Sequence, residues 1–267
     1  MTSADGPTIP RMTRGVAVLA VVGALLATAP AGASPAGWWA RQKAAVQYVE
    51  SRQGDVSFAY VGYRGRLHGY RPWRVAPSAS LLKAMLLVAY LNKPSVRGRA
   101  LMDEERGLLG PMIRRSDNTA AGIVLGRVGE RRLNMLARRA DMVHFRLRSP
   151  WGLSEVTAGD QARFFFRIDR YVTSRHRYYA RVLLSTIVPS QRWGIPPVVP
   201  SGWSIFFKGG WGSGTGRVTH QSALLEDGGD RLALSVLTEW NPSHAYGTWT
   251  IRGIAARLLE TPLPRQP

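Results

Sequence analysis

Three short motifs in the sequence carry residue types that could support acyl transfer. They are S-x-x-K at Ser80–Lys83, S-D-N at Ser116–Asn118 and K-G-G at Lys208–Gly210. A serine hydroxyl is a weak nucleophile until a neighbouring base takes its proton. A lysine can act as that base when burial and its surroundings lower its pKa toward neutrality. The hypothesis to compare with the rest of the sequence is therefore a serine nucleophile that a neighbouring lysine activates.

The first motif begins an apolar segment, residues 80–92, which reads as a helix closed by Pro94. A helix that is apolar on almost every side is buried. Ser80 and Lys83 are three residues apart and so share one face. Desolvation and the helix N-terminus both disfavour the charged lysine, so its pKa should fall. The same motif taken alone also fits a capping serine and a lysine that snorkels to solvent.

The other two motifs also have ordinary interpretations when each is taken alone. S-D-N fits a helix cap, because Ser, Asp and Asn are preferred there. K-G-G, at the end of the apolar strand 203–208, fits a charged strand end with a glycine turn. Lysine usage argues for function: the chain has 36 Lys plus Arg, of which only Lys43, Lys83, Lys93 and Lys208 are lysine. Two of these four fall on the motifs, where arginine could not be deprotonated.

The basic composition limits the classes of partner. The net charge is +19, and the arginines are scattered without a long basic tract or a base-stacking motif. We therefore expect no nucleic-acid partner, and attraction to anionic cell-wall polymers as the charge-based alternative. We expect no metal, because no metal-ligand spacing occurs, and no cofactor. The expected state is a monomer.

The N-terminal segment has the three parts of a secretory signal. Arg11 and Arg14 precede the apolar run 15–29, and the small residues 30–33 follow. We expect a signal peptide over 1–33, a mature chain of 34–267 and a secreted or cell-envelope location. Removing two Arg and one Asp leaves a mature charge of 19 − 1 = +18. An uncleaved membrane anchor is the alternative. The absence of cysteine fits an exported protein that folds without disulfides.

Hydrophobic periodicity predicts strands at both ends of the mature chain and helices between them. This order predicts an α+β fold, in which an antiparallel sheet built from both chain ends is flanked by helices and carries an inserted helical lobe. We expect a sheet lobe over 37–76 and 201–267 and a helical lobe over 77–200. The predicted strands are 56–62, a return strand after Gly65, 203–208, 217–225 and 231–239. The predicted helices are 38–51, 80–92, 101–113 with a break at Gly110-Pro111, 119–128, 131–140, 157–168, 177–187 and 247–259.

Taken together, the three motifs occur in the order and settings typical of class A β-lactamases and penicillin-binding proteins. Over most of residues 38–260 the chain resembles this superfamily of serine acyltransferases, nearest to class A. The resemblance implies a β-lactamase/transpeptidase-like fold and specific roles for the motif residues. The catalytic residues would be Ser80 as nucleophile, Lys83 as its proton acceptor and Ser116 as the proton shuttle to the leaving nitrogen. The substrate-binding residues would be Asn118, Lys208, Gly210 and Trp211.

The resemblance also implies the finer roles of four groups. Asn118 would bind the substrate's side-chain amide, and Lys208 would supply positive charge to the substrate carboxylate. Asp117 would hold its loop in place. The backbone N–H groups of Ser80 and Trp211 would form the oxyanion hole.

Three features depart from the family pattern. Gly209 stands where the third motif usually has Thr or Ser, whose hydroxyl helps to hold the substrate carboxylate. Ser116 follows Ser80 by 116 − 80 = 36 positions, a shorter spacing than is usual, so the helical lobe looks trimmed. The loop Glu that activates the deacylating water is missing, because Ser149-Pro150 stands where Glu-Pro would be. Glu155, which we expect to open the next helix, is a weaker alternative base.

These features predict an exported serine hydrolase that forms an acyl-serine with a β-lactam or a related peptidoglycan-type amide. Without the loop Glu, fast deacylation is in doubt, since water needs a base. A cell-wall D,D-peptidase or esterase is the alternative enzyme. A non-catalytic, cationic cell-wall-binding protein is the alternative from another class. The chain's histidines are interpreted as structural or surface residues: His68, His144, His176, His220 and His244.

Overall fold

The computed structural model describes residues 1–2, 35–62, 65–212, 214 and 216–260. Almost all of the predicted signal peptide lies outside these residues, so signal and export both stay predictions. In the part of the chain that is described, no helix is long and apolar enough to cross a membrane.

Helices and strands follow the predicted order along the chain. The helices are α1 (Pro35–Glu50), α2 (Leu82–Leu91), α3 (Asp103–Arg114), α4 (Asn118–Val128), α5 (Glu130–Arg139), α6 (Ala158–Phe166), α7 (Ile168–Tyr171), α8 (Ser174–Ser185) and α9 (His244–Leu259). The strands are β1 (Asp55–Val61), β2 (Leu67–Tyr70), β3 (Val75–Pro77), β4 (Glu155–Thr157), β5 (Ser204–Gly212), β6 (Val218–Asp227) and β7 (Asp230–Glu239). Short 3-10 turns lie at Ala79–Leu81, Trp151–Leu153, Pro189–Gln191 and Pro196–Val198.

One five-stranded antiparallel sheet joins the two ends of the chain. Its order is β2-β1-β7-β6-β5, and β1 pairs with β7 over the whole length of β1, from Asp55 opposite Glu239 to Val61 opposite Ala233. The α+β prediction of a sheet built from both chain ends is therefore confirmed. The strand β5 lies at an open edge, which leaves half of its backbone groups free to face another segment or a ligand. The predicted boundaries of the two lobes stay a prediction.

The helix α2 lies at the centre of the core, and all ten of its residues are buried. Burying each leucine or methionine side chain contributes about 2 kcal/mol. This apolar surface offsets the cost of carrying Lys83 into the interior, where its side chain is fully inaccessible to solvent. The apolar character of residues 81–91 thus explains both the position of the helix and the unusual surroundings of its lysine.

Two predicted boundaries were wrong. α3 continues through Pro111 without the expected break. A proline inside a helix removes one backbone hydrogen bond, but Leu109, Met112 and Ile113 are fully buried around it and hold the helix together. The second error concerns β5, which does not end at Lys208. It runs on to Gly212, in register with the start of β6 at Val218.

Candidate active site

Ser80 lies in the 3-10 turn that leads into α2, and its side chain is almost completely buried, with 8% of the residue exposed. The residue before it, Ala79, has φ of +43°, in the left-handed region that costs a non-glycine residue about 1–3 kcal/mol. The N-cap of α2 is Leu81, and no side chain caps it. Ser80 is therefore not a helix cap, and its hydroxyl is available for another use.

Lys83 points from α2 into a polar contact with the S-D-N motif. Its Nζ donates to Asn118 Oδ1 at 2.7 Å and to the backbone carbonyl of Ser116, and lies 3.1 Å from Ser116 Oγ. Burial lowers its pKa from 10.5 to about 7, while the negative charge of Asp117 partly opposes that shift. The prediction of a lysine with a lowered pKa thus agrees with its surroundings. The predicted alternative, a lysine that snorkels to solvent, is wrong, because the residue is fully buried.

Ser116 bridges the two lysines of the motifs. Its Oγ lies 3.1 Å from Lys83 Nζ and 3.1 Å from Lys208 Nζ. Its backbone has φ of +58°, and this left-handed conformation presents both its carbonyl and its hydroxyl to the site. Backbone strain of this kind persists where the surrounding contacts over-determine it. Ser116 is therefore placed to pass a proton from one side of the site to the other.

The other two residues of the S-D-N motif fix the loop and leave one donor free. Asp117 Oδ1 accepts from the backbone N–H of Ala120 at 2.7 Å, which caps α4. Asn118 uses its Oδ1 on Lys83, so its Nδ2 is left to face a ligand. An amide N–H₂ in this position suits a carbonyl oxygen of a substrate.

Lys208 lies within β5 and is completely buried. Its Nζ donates to the Gly209 carbonyl at 2.8 Å in addition to its contact with Ser116. Burial, and then the charge of Lys83, lower its pKa well below the usual value. Two amines with lowered pKa values therefore lie within hydrogen-bond distance of the same Ser116 hydroxyl.

Gly210 allows β5 to approach the nucleophile. A Cβ on Gly210 would lie 2.9 Å from the Ser80 nitrogen and 3.2 Å from the Ser78 carbonyl oxygen, so no side chain fits here. The Gly209 carbonyl accepts from Lys208 and therefore faces away from β6. Backbone groups two residues apart on a strand point the same way, which directs the Trp211 N–H to the same free edge as Ser80. This arrangement suits the predicted oxyanion hole.

His220, on β6, holds the segment that precedes the nucleophile. Its Nδ1 accepts from the Thr238 N–H, so its Nε2 carries the proton and donates to the Pro77 carbonyl at 2.9 Å. Burial lowers its pKa to about 4, which keeps the ring neutral. Sequence reasoning described this histidine as structural, and that interpretation agrees with its contacts, but the connection to Pro77 was not foreseen.

The loop before β4 differs from the prediction at Glu155. Glu155 does not open a helix; it lies in β4 opposite Pro77, and α6 begins at Ala158. The difference arises because 155–157 complete a two-stranded ladder with β3 before the Thr157 side chain caps the helix. Arg148 binds the Glu155 carboxylate at 2.6 and 2.9 Å. That carboxylate is therefore paired with a guanidinium through one of its two oxygens.

Trp151 occupies the space above Lys83. The ring centroid lies 5.2 Å from Lys83 Nζ, and Ser149-Pro150, which precedes it, is exposed and joined by a cis peptide. Within the described residues, no hydrogen bond or ion pair joins a carboxylate to Ser80 or Lys83. Sequence reasoning missed Trp151, because a single aromatic residue in an irregular loop carries no motif.

Among the described residues, no group of three or more His, Cys, Asp or Glu residues could hold a metal ion. Lys83 contacts the Ser116 hydroxyl and the Asn118 amide, Lys208 contacts the same hydroxyl, and the Ser80 backbone lies against Gly210 of β5. Such a set can deprotonate a serine, stabilise an oxyanion and protonate a leaving group.

Comparison with known proteins places this site in a family context. Residues 104–261 match the model of the beta-lactamase enzyme family. A search of curated proteins found no match. Among solved structures, a beta-lactamase from Sphaerobacter thermophilus is 20% identical, with a TM-score of 0.72, over 84% of this chain and 97% of that one. An ancestral class A beta-lactamase is 17% identical, with a TM-score of 0.71, over 82% of this chain and 99% of that one.

A third similar structure is PBP-A, which is 17% identical with a TM-score of 0.69, over 82% of this chain and 94% of that one. A variant of PBP-A has also been solved as an acyl-enzyme complex with penicillin G. At identities this low, the structural similarity shows the fold alone. The family itself is shown by the family model, which matches more than half of the chain. The chain belongs to the beta-lactamase enzyme family and has the fold shared by class A beta-lactamases and PBP-A.

Proposed function

We propose that the protein is an exported serine hydrolase that forms an acyl-serine at Ser80 with β-lactams or related amides and esters, and releases the acyl group slowly. The observation that carries the proposal is the buried Lys83, with its pKa near 7 and its Nζ within hydrogen-bond distance of Ser116 and Asn118. Burial of a charged lysine costs free energy and lowers its pKa, and such a lysine beside a nearly buried serine is suited to proton transfer.

In the acylation step, the neutral Lys83 amine takes the Ser80 proton while Oγ forms a bond to the substrate carbonyl carbon. The negative charge that develops on the carbonyl oxygen is stabilised by the N–H groups of Ser80 and Trp211. The bond to the leaving nitrogen or oxygen then breaks, and Ser116 supplies the proton. Ser116 regains a proton from the Lys83 ammonium across 3.1 Å. In the substrate-free site Lys83 Nζ contacts Ser116. The hydrogen bond from Ser80 to Lys83 that the step needs is of the catalytic type that tightens when substrate binds.

Among the described residues, no carboxylate forms a hydrogen bond or ion pair with Ser80 or Lys83 that would make it the base for the second half of the reaction. Hydrolysis of the acyl-serine needs a group to take a proton from water. Glu155 is paired with Arg148, and the Trp151 indole covers Lys83. These two features support slow release and favour a penicillin-binding, D,D-peptidase-like or esterase-like enzyme over a fast β-lactamase.

The proposal extends to location and partners. The predicted signal supports export, and the mature charge of +18 supports association with anionic cell-wall polymers. The substrate would be a small β-lactam or a peptidoglycan-type amide. The proposed oligomeric state is a monomer.

The direct test is to incubate purified 34–267 with a fluorescent penicillin and with an active ester, and to follow intact mass over time. We expect a covalent adduct with one acyl group per protein molecule. Its lifetime should be many times longer than one turnover of a fast hydrolase. Rapid release of opened penicillin would contradict slow deacylation. Absence of an adduct with every β-lactam and active ester would overturn the enzyme assignment and leave the non-catalytic wall-binding protein.

Acylation should depend on pH through Lys83. The active form is the neutral amine, and the pKa is about 7. The rate constant should therefore rise with pH, reach half its maximum near pH 7 and fall about tenfold for each further unit of acidity. Stopped-flow measurement of adduct formation between pH 5 and 9 checks this. A rate that does not change between pH 5 and 8 would show that Lys83 is not the titrating base.

Restoring a carboxylate in the loop should speed release of the acyl group. Ser149 is exposed next to Trp151, at the position where the family resemblance expects Glu. In Ser149→Glu we expect deacylation to accelerate about 100-fold, because a positioned general base contributes on that order. Acylation should be unchanged. The control is Ser149→Gln, because glutamine has the shape of glutamate but cannot act as a base. Equal adduct lifetimes in the two variants would contradict the prediction.

A further inference from the structure

A cluster of three aromatic side chains lies beside the oxyanion-hole strand. We call Trp193, Trp211 and His244 the aromatic recess. Trp193 meets Trp211 edge to face at 5.8 Å between ring centroids, and meets His244 at 5.0 Å. Trp211 and His244 lie 5.8 Å apart. The two indoles are half-buried and His244 is exposed, so the recess is open to solvent. Neither the motifs nor the acylation step above uses these side chains.

The recess borders the side of the site where the leaving group departs. Ser116 protonates the leaving atom, and its Oγ lies 3.1 Å from Lys208 Nζ. Lys208 Nζ lies in turn 5.8 Å from the Trp211 ring centroid. A leaving group held between Ser116 and β5 is therefore next to the recess, while the acyl part lies toward Asn118.

Trp193 fills the space that a side chain at position 209 would need. Side chains alternate along a strand, and Gly210 faces Ser80, so position 209 faces the other way. A Cβ on Gly209 would lie 2.9 and 3.0 Å from the far edge of the Trp193 indole. A threonine or serine at 209 would therefore require the Trp193 indole to move. The departure from the family's third motif is thus compensated by a specific neighbour.

The position of Trp193 is fixed by its own backbone. Gln221, completely buried on β6, donates from Nε2 to the Trp193 carbonyl at 2.9 Å and accepts from the Ile195 N–H at 2.6 Å. Between them Gly194 has φ of +69°, and a Cβ there would lie 2.5 Å from Gln221 Oε1. These contacts fix the backbone from which the indole extends, and the ring itself packs against Trp211 and His244.

The recess offers planar apolar faces and little charge. His244 Nδ1 lies 3.1 Å from the Thr219 hydroxyl, and burial lowers the pKa of His244 below its ordinary 6.5, so the ring is neutral at pH 7. Lys208 already donates to Ser116 and Gly209. Aromatic faces favour a planar or apolar partner. A substrate carboxylate in the recess would lose its hydrating water. It would gain no hydroxyl contact in return, because position 209 is glycine.

We propose that the aromatic recess binds the leaving-group part of the substrate, and that this part is uncharged and planar, as in an aryl or benzyl ester or amide without a neighbouring carboxylate. The inference rests on the proposed acylation of Ser80 and narrows its substrate class. It makes Trp193 a residue that determines specificity.

Matched esters of N-(phenylacetyl)glycine test the proposal with the wild-type chain. The phenyl ester is compared with the 3-carboxyphenyl ester, and the benzyl ester with the cyclohexylmethyl ester, by kcat/KM. Each value is divided by the rate of hydroxide hydrolysis of the same ester. We expect a preference of about tenfold or more for the phenyl ester and for the benzyl ester, since mismatched polar and shape contacts cost at least this much. Equal or better use of the 3-carboxyphenyl ester would overturn the proposal.

Variants then assign the preference to the recess. Trp193→Leu keeps an apolar side chain without a planar face, and should abolish the benzyl preference. Trp193→Ala combined with Gly209→Thr restores a hydroxyl where the indole lay, and should shift the ratio toward the 3-carboxyphenyl ester by about tenfold. A preference retained in a folded Trp193→Leu would contradict the role of the recess. Acylation of Ser80 without any preference defeats this inference alone, whereas no acylation by any ester or any β-lactam defeats the proposed function itself.

Discussion

Ser80→Ala should abolish formation of the covalent adduct with penicillin and with active esters. The side chain provides the only atom in the proposed mechanism that bonds to the substrate, so removing Oγ leaves no acyl acceptor. Among the described residues the Ser80 hydroxyl has no hydrogen-bond partner, so we expect the free energy of unfolding to change by less than about 0.5 kcal/mol. Intact mass after incubation and thermal unfolding measure the two effects.

A matched serine makes the result specific. Ser95 is exposed and lies beyond the end of α2, outside the three motifs. Ser95→Ala should acylate at the wild-type rate. Should Ser80→Ala still gain the acyl mass, peptide mapping would identify the residue that carries it, and the assignment of Ser80 would be wrong.

Lys83→Arg should lower the acylation rate constant by about 1000-fold while the protein stays folded. The substitution keeps a positive charge and a long side chain, but a guanidinium is not deprotonated at any pH used for proteins. Loss of a general base costs about 10²–10⁴ in rate, and the larger arginine also disturbs the contacts with Ser116 and Asn118. Stopped-flow acylation and circular dichroism of the same preparation measure rate and fold.

The control for this variant lies on the same segment of chain. Lys93 follows the end of α2, is partly exposed and contacts the Tyr90 ring at 5.0 Å. Lys93→Arg should keep wild-type acylation and its rise with pH. A folded Lys83→Arg that acylates at near-normal rates would show that the amine is not the proton acceptor, and that Ser80 is activated by another group.

Much of the fold could be predicted from local pattern. The alternation in 56–61 and the apolar strands near the C-terminus indicated a sheet made from both chain ends, because such patterns bury one or both faces of a strand. The boundaries at Pro111 and after Lys208 could not be read locally. Burial of Leu109, Met112 and Ile113 and the pairing of β5 with β6 decided those, and both depend on distant residues.

The sequence by itself determined the identity and order of the motif residues, and so the chemistry to look for. It also determined that Lys83 is surrounded by leucine and methionine, from which a lowered pKa follows by desolvation. Residue type and short spacing carry this information, because a helix brings residues three apart to one face.

The tertiary structure alone decided which groups meet across the site. It brings Ser116 between Lys83 and Lys208, binds Glu155 to Arg148 and sets Trp151 over Lys83. It also places the Trp193 indole over Gly209, the position where the family's third motif usually has Thr or Ser, and so forms the aromatic recess. These contacts join segments far apart in the chain, and their distances depend on how the whole core packs, so no local pattern could have indicated them.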